Sequence, residues 1–323
     1  MDLMTRLEKK AAARFPRVVF PEGGDPTMLE AIRIVVARRL ARPLVIGQQA
    51  ELAASGVDLS GIEIVDPATS PKTAAYAAAY AIREGFPEAA AAHMLAKPLP
   101  FAAMMVGSGD ADALVAGFTH GTAQVILSSQ MFVGMMEGVS TASSFFVMDV
   151  PNWIGGEEGL LMFADCAVTP SPTPSELADI AITTAASARE LLGWEPRVAM
   201  LSFSTRGSST HPDVDKVVEA VRIIRSREPG LCVDGEMQAD AALVPSVARK
   251  KMKDGSPVGG RANILVFPDL DAGNIAYKLV QRLAKAAAYG PVLQGFRRPV
   301  SDLSVGASIN DIVGATTIVA ARA

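Results

Sequence analysis

The sequence predicts an α/β protein with two domains. Short β-branched runs alternate with longer Ala-rich amphipathic segments, as parallel strands joined by crossover helices require. The length of 323 residues suits two domains of ordinary size better than one. No tract rich in Pro, Gly and Ser interrupts the pattern, so we expect no long flexible linker between the domains.

The first half of the chain contains alternating strands and helices. Strands are predicted where β-branched and aliphatic residues cluster, and helices where alanine dominates. In chain order these are strand 17–20, helix 27–40, strands 43–47 and 62–65, helices 72–83 and 87–95, and strand 113–116. The last strand, Ala-Leu-Val-Ala, is apolar throughout and ends at Gly117, which is typical of a buried strand.

The second half continues the alternation. A β-branched and aromatic run that reaches Pro151 predicts a strand, and proline with acidic residues at 174–176 predicts a helix start. In chain order the elements are strand 143–150, helix 174–192, strand 197–203, helix 212–227, strand 264–268, helix 273–288 and a closing helix followed by a strand within 310–320. The charged, glycine-containing segment 249–261 is predicted to be a surface loop.

Composition excludes several classes of protein. No apolar run approaches the roughly 20 residues of a membrane helix, and the charged start lacks a secretory signal, so we expect a soluble, cytoplasmic protein without a membrane partner. The two cysteines, Cys166 and Cys232, and three scattered histidines predict no disulfide framework and no transition-metal site. Both cysteines are expected to be buried. A net charge of -4 without a basic cluster excludes a nucleic-acid footprint and favours small-molecule partners.

Three turns that follow predicted strands are rich in glycine and hydroxyl residues. They are residues 117–122, 202–209 and 267–274. Ligands of α/β sheets bind outside the carboxyl ends of the strands, where glycines allow close approach and hydroxyls donate hydrogen bonds. The pattern therefore predicts an anionic ligand, although each turn taken alone is better explained as an ordinary turn.

Several segments together resemble one family. They are Phe20-Pro21-Glu22-Gly23, Phe163-Ala164-Asp165-Cys166-Ala167-Val168, Glu176 to Ala181, Ala199 to Thr205, Val233-Asp234-Gly235-Glu236-Met237-Gln238, and Leu265 to Leu270. From about Val18 to the C-terminus, the chain is similar to the phosphate acetyltransferase (phosphotransacetylase) and phosphate acetyl-butyryl transferase family. The resemblance makes it a divergent member of that family.

The resemblance implies a specific architecture. It implies two three-layer α/β domains with a cleft between them, similar to the isocitrate and isopropylmalate dehydrogenases. The first domain would contain residues 1–140 plus 291–323, and the second 141–290. The C-terminal segment would then pack on the first domain and place Ser304 and Asp311 beside the Gly117 turn. A homodimer with an interface from the second domain is also implied.

The resemblance further implies acetyl or short-acyl transfer between coenzyme A and phosphate in acetate metabolism. Coenzyme A would be a substrate, with no metal and no tightly bound cofactor. Asp311 would take the thiol proton and Ser304 would hold phosphate, since a thiolate attacks and polar donors stabilise the developing oxyanion. The implied substrate-binding residues are Arg298, Lys278, Tyr277, Thr122 and Ser128.

The sequence departs from the family at two arginines. Asp302-Leu303-Ser304-Val305-Gly306 has valine where the family has arginine, and a second family arginine falls at Leu127. Losing one preorganised donor costs on the order of 100- to 1000-fold in turnover. Two alternatives therefore stay open: a catalytically weakened acyl-coenzyme A-binding regulatory protein, or a transferase with another acyl group or acceptor. Asp311 also fits a helix cap, and Ser304 a turn hydroxyl.

Overall fold

The computed structural model describes residues 2–323, which form two compact units. The first unit contains the residues up to 137 together with 296–323, and the second contains 138–295. The predicted boundaries were 140 and 291. The chain returns to the first unit at 296 because the strand Ala287–Gln294 pairs with the strand Ser143–Asp149 inside the second unit.

Strands and helices alternate along most of the chain. The strands are β1 (Arg17–Phe20), β2 (Arg42–Ile46), β3 (Glu63–Val65), β4 (Ala113–Ala116), β5 (Ser143–Asp149), β6 (Leu160–Ala164), β7 (Arg197–Leu201), β8 (Cys232–Met237), β9 (Ile264–Val266), β10 (Ala287–Gln294) and β11 (Val300–Asp302). The helices are α1 (Leu3–Arg14), α2 (Pro26–Ala37), α3 (Gln49–Ala53), α4 (Lys72–Glu84), α5 (Glu88–Leu95), α6 (Pro98–Ser108), α7 (Thr122–Ser128), α8 (Pro174–Ser187), α9 (Pro212–Arg227), α10 (Ala239–Leu243), α11 (Pro245–Lys251), α12 (Leu270–Leu283) and α13 (Ile309–Arg322). The π-helical segments Ser129–Val133 and Ala188–Leu192 continue α7 and α8.

The sheet of the first unit is parallel and has the strand order β11-β4-β1-β2-β3. The residues of β4 are all buried, which is typical of a parallel strand that is covered on both faces. The C-terminal strand β11 pairs with β4, with Asp302 opposite Ala116. Because β1, β4 and β11 are neighbours and parallel, their carboxyl ends lie at the same edge of the sheet.

The last element of the chain is a single helix, so the predicted helix followed by a strand is wrong. The hydroxyl of Ser308 caps α13, and the helix packs against α1, α2 and β4. Thr316 and Thr317 lie in the segment for which that prediction was made, and they donate hydroxyl hydrogen bonds to backbone carbonyls one turn earlier. These bonds and the buried apolar face of α13 outweigh the weak helix propensity of threonine.

The sheet of the second unit is mixed and has the order β10-β5-β6-β9-β7-β8. Strands β6, β9, β7 and β8 pair in parallel. At one side of the sheet, β5 pairs antiparallel with β6, and β10 pairs antiparallel with β5. The sequence placed one helix over 273–288. In the structure α12 ends at Leu283 and Ala287 already pairs with Asp149, because strand pairing outweighs the helix propensity of alanine. The predicted loop 249–261 also begins later, since α11 continues through Lys251.

Helices α5 and α6 are rich in apolar residues. In α6, Phe101, Met104 and Met105 are buried in the core of the first unit. The two helices are bent by 108° and reach the length and hydropathy of a membrane span only as a pair. No single helix among residues 2–323 reaches both limits.

Candidate functional site

A buried glutamate lies at the carboxyl edge of the first unit's sheet. Glu22 follows β1, and its carboxylate accepts hydrogen bonds from the backbone N–H groups of Phe118 (2.9 Å), Thr119 (2.7 Å) and His120 (2.9 Å). The Thr119 hydroxyl and the His120 Nδ1 lie 3.0 and 2.8 Å from the same carboxylate. Glu22 therefore holds the loop that follows β4.

The environment of Glu22 favours its ionised form. Burial by itself raises the pKa of Glu22, but the Thr119 amide, the His120 ring and amide, and the Phe118 amide outweigh burial and hold the pKa below its ordinary value of 4.5. A fixed negative charge therefore lies at this edge at neutral pH. An anionic substrate bound nearby needs hydrogen-bond donors or cations that overcome its repulsion.

A second buried carboxylate lies at the same edge. Asp302, the last residue of β11, accepts a 2.5 Å hydrogen bond at Oδ2 from the hydroxyl of Thr122. Its Oδ1 has no hydrogen-bond partner among residues 2–323. Gly117 makes room for Oδ1, since a Cβ there would lie 2.2 Å from it and the φ of Gly117 is +104°. Burial, opposed by the Thr122 bond and aided by the Glu22 charge, raises the pKa of Asp302 to about 6.

Ser304 is exposed in the segment that joins β11 to α13, and Asp311 is exposed in the first turn of α13. The Asp311 Oδ2 accepts hydrogen bonds from the backbone N–H (2.9 Å) and hydroxyl (2.7 Å) of Ser308. In return, the Ser308 hydroxyl accepts from the Asp311 N–H at 3.3 Å. Ser308 and Asp311 thus form a capping box, with Asp311 as the third residue of α13. This structural role holds the Asp311 carboxylate in a fixed place at the start of the helix.

Apolar side chains stand where the resemblance implies cations. Val305 is 75% exposed in the turn after β11, and Leu127 is 58% exposed on α7. The same helix begins at the exposed Thr122 and ends at the half-buried Ser128. The exposed fractions show that neither Val305 nor Leu127 is held in a packed core.

Arg298 lies at the opposite edge of this sheet. It precedes β11, and its Nη2 is 3.7 Å from where a Cβ of Gly109 would be. Burial raises the pKa of Asp112, the residue before β4, but Arg17 and, to a smaller extent, Arg298 hold this pKa below its ordinary value. Since β11 separates Arg298 from Ser304 at about 3.3 Å per residue, the structure does not bring these two residues together. The neighbouring Arg297 donates from Nε to the carbonyl of Val133 at 3.2 Å.

Tyr277 and Lys278 lie on α12 of the second unit. The ring of Tyr277 stacks on Phe146, with 4.3 Å between the centroids and 16° between the planes. Burial and the nearby Cys166 raise the pKa of its hydroxyl. Lys278 is exposed, and its Nζ is 5.7 Å from the centroid of the Tyr277 ring. The pair presents a cation beside an aromatic face.

The serine-rich turn of the second unit is occupied by internal bonds. The hydroxyl of Ser204 and the N–H of Gly207 both donate to Glu236 Oε1 at 2.8 Å. Arg206 forms a 2.6 Å ion pair with the buried Asp234. The Ser204 hydroxyl and the Arg206 cation are thus already bound to carboxylates of the protein. Neither residue supports the prediction that residues 202–209 bind an anion.

The cysteines differ in burial. Cys166 is buried, and burial together with Asp165 raises the pKa of its thiol. Cys232 is only half-buried, contrary to the expectation for both, because its Sγ lies at the start of β8 against the carbonyl of Pro257. Within residues 2–323, no group of three or more His, Cys, Asp or Glu side chains is placed to hold a metal ion.

Comparison with known proteins decides the family. The family model described as phosphate acetyl/butaryl transferase matches residues 2–320. The chain belongs to this family. It is 48% identical to the phosphate acetyltransferase of Thermoanaerobacterium thermosaccharolyticum, with 100% of both chains covered.

Solved structures of the family share the fold. A phosphotransacetylase from Streptococcus pyogenes is 38% identical, with a TM-score of 0.92, and 99% of this chain and 97% of that chain are covered. The EutD phosphotransacetylase from Staphylococcus aureus is 37% identical, with a TM-score of 0.89 and coverage of 100% and 99%. The predicted two-unit α/β fold and the predicted family membership are confirmed.

Sequence reasoning did not identify Glu22 or Asp302 as site residues of this phosphate acetyl/butaryl transferase family member. Both stand in segments that were compared with the family, Phe20 to Gly23 and Asp302 to Gly306. For Glu22 the available signal was an acidic residue two positions after the predicted strand 17–20, where a buried carboxylate costs free energy unless donors satisfy it. No such signal existed for Asp302, because no strand was predicted at 300–302.

Proposed function

We propose that this protein transfers an acetyl group between coenzyme A and phosphate. The observation that carries the proposal is the family match over residues 2–320, together with near-complete coverage of relatives that are named phosphate acetyltransferases. Coenzyme A is then a substrate, and no tightly bound cofactor is needed. Nothing in the structure or among these relatives favours the regulatory alternative.

The proposed chemistry needs a base for the coenzyme A thiol and donors for the developing oxyanion. Asp311 is proposed as the base, since its carboxylate is exposed and the capping box fixes its position. Ser304 and Thr122 are proposed to donate hydroxyl hydrogen bonds to phosphate, with Ser128 as a further substrate-binding residue. The exposed position of Ser304, two residues after Asp302, supports this proposal.

The second unit is proposed to bind coenzyme A through Tyr277 and Lys278. The exposed Lys278 ammonium can attract the substrate's phosphates, and its position beside the Tyr277 ring supports a site that takes a charged, partly aromatic ligand. Arg298 was expected to bind substrate as well. Its position at the amino edge, beside Asp112, gives that role no support, so it is left out of the proposed phosphate site.

The proposal is tested by mixing acetyl phosphate with coenzyme A and following loss of the free thiol, beside a binding titration with coenzyme A. We expect acetyl-coenzyme A to form at rates below the ordinary range of about 1–10³ s⁻¹, because Val305 and Leu127 supply no positive charge. Binding of coenzyme A without any thiol loss would contradict the proposed activity and favour the regulatory alternative.

A homodimer is also proposed, with the second unit at the interface. Three apolar residues of α12, Ile275, Leu279 and Leu283, are 56%, 52% and 80% exposed. Their spacing of four residues places them on one face of the helix, where burial against a second copy removes apolar surface from water.

Cytoplasmic location stays a prediction.

We expect sedimentation at micromolar concentration to show a dimer, and Leu279→Glu to shift it towards monomer. Ile154→Glu is the matched control, because Ile154 also lies in the second unit and is 95% exposed but is not on α12. Only monomer in the unaltered protein would contradict the proposed dimer. An unchanged dimer in Leu279→Glu would exclude the α12 face as its interface.

A further inference from the structure

Only one of the two carboxyl oxygens of Asp302 has a hydrogen-bond partner among residues 2–323. The residue is 7% exposed, Oδ2 meets the hydroxyl of Thr122, and Oδ1 lies against Gly117 without a hydrogen-bond partner among residues 2–323. A buried carboxylate is ordinarily satisfied at both oxygens, because each unpaired acceptor keeps the cost of leaving water. This environment is therefore better suited to a neutral acid than most aspartate sites are.

The two protonation states of Asp302 use the Thr122 hydroxyl in opposite ways. A carboxylate can only accept, so the single proton of the hydroxyl must point at Oδ2. A neutral acid carries its proton on Oδ2, where Thr122 Oγ1 is an acceptor, since Oδ1 has none. The acid then donates to Thr122, and the threonine's own proton is free to turn outward. Thr122 is exposed, so that proton can reach a ligand.

The charged groups around Asp302 come from three elements. Glu22 follows β1, and its negative charge raises the pKa of Asp302, in addition to the larger effect of burial. His120 lies in the loop after β4 and binds Glu22. Asp311 lies in the first turn of α13, which packs against β11. Helix α6 precedes β4 in the chain and helix α7 follows it, and neither helix contains a titratable side chain.

We propose that Asp302 is a positioning residue that, when protonated, orients the Thr122 hydroxyl as a hydrogen-bond donor to the phosphate substrate. The inference rests on the proposed function, because Thr122 is assigned to the phosphate site there. Ionisation of Asp302 turns the same hydroxyl inward and withdraws the donor. Phosphate binding therefore weakens as the pH rises through the pKa of Asp302, which burial raises to about 6.

The variants Asp302→Asn and Thr122→Val test the roles of the acid and of the hydroxyl separately. The asparagine amide can donate permanently to Thr122 Oγ1, as the neutral acid does, whereas valine removes the hydroxyl and keeps the side-chain shape. Thr122→Ser is the conservative control that restores the hydroxyl. A hydrogen bond to a charged group is worth about 1.5–3 kcal/mol, which is tenfold or more in binding.

The experiment measures the KM and kcat for phosphate with acetyl-coenzyme A, and the Kd of inorganic phosphate by calorimetry, between about pH 5 and pH 7, one unit on either side of the raised pKa. We expect the unaltered protein to bind phosphate about as well as Asp302→Asn at the acid end and roughly tenfold more weakly at the neutral end. Thr122→Val is expected to bind weakly throughout, and Thr122→Ser, which keeps the hydroxyl, to recover the pH dependence of phosphate binding. The ionisation of phosphate itself is common to all variants and cancels in their ratios.

A ratio of unaltered protein to Asp302→Asn that stays constant with pH, or absence of phosphate binding in every protein, overturns the inference. It is also overturned if the pH effect persists in Asp302→Asn and is lost in His120→Gln. Failure of the proposed function looks different: no acetyl transfer occurs, while phosphate binding still depends on pH and on both residues. If Asp302→Asn does not fold, a ratio of unaltered protein to Thr122→Val that stays constant with pH overturns the inference by itself.

Discussion

Replacing Val305 by arginine is expected to raise phosphate-dependent acetyl transfer on the order of 100-fold. The resemblance implies an arginine at this position, next to a serine and a few residues before an aspartate. This chain retains the serine as Ser304 and the aspartate as Asp311. A guanidinium there supplies a cation and several donors to phosphate and to the oxyanion that develops during transfer. It also offsets the fixed negative charge of Glu22 at the same edge of the sheet.

The structure removes the main steric objection to this variant. Val305 is 75% exposed, so an arginine replaces a side chain that mostly faces water and leaves no cavity in a core. Leu127 is 58% exposed and can be changed in the same way. Neither substitution buries a charge, so the desolvation cost of a buried guanidinium does not apply.

Turnover should be measured for Val305→Arg, Leu127→Arg and the double variant, with acetyl phosphate and coenzyme A. Asp311→Ala in the Val305→Arg background is the control, because a gain that depends on the proposed base belongs to the same reaction. The expectation is contradicted if the unaltered protein already turns over at an ordinary rate and none of the variants improves it. Other donors would then bind the phosphate.

The position of Arg298 shows that closeness in sequence does not ensure closeness at one edge of a sheet. Arg298 is six residues before Ser304, and the resemblance implied a role at the site for both. The intervening β11 is extended and parallel to β4, so it carries the chain from the amino edge to the carboxyl edge of the sheet. The pattern at 300–302 was too short to predict a strand, and without that strand the direction of the chain was unknown.

The alternation of strands and helices was predictable because each element has its own local signal. Strand 113–116 and helix 212–227 have the predicted bounds, since an apolar run and a proline-initiated amphipathic segment need no long-range information. The change from α12 to β10 needed β5 as a pairing partner. The partners of Glu22, about a hundred residues away, depended in the same way on the completed sheet.

Removing the Glu22 carboxylate is expected to destabilise the first unit by about 3–5 kcal/mol. Glu22→Ala leaves the N–H groups of Phe118, Thr119 and His120 without their acceptor. An unsatisfied buried donor costs about 1–3 kcal/mol, and the cost is smaller at the exposed Thr119 and the half-buried His120, whose N–H groups water can reach. Glu22→Gln should cost less, because its amide oxygen can still accept while its NH₂ group opposes one of the donors.

Thermal and chemical denaturation of these variants tests the expectation, with Glu30→Gln as the matched control on the exposed face of α2. Because the folded-state pKa of Glu22 lies below 4.5, its stabilising contribution is present above that pH and is lost as the pH falls through the lowered pKa. The gap between the unaltered protein and Glu22→Gln should therefore be widest near neutral pH and close in acid. A gap that is the same size at every pH, or no larger than that of Glu30→Gln, would show that the carboxylate charge does not hold this loop.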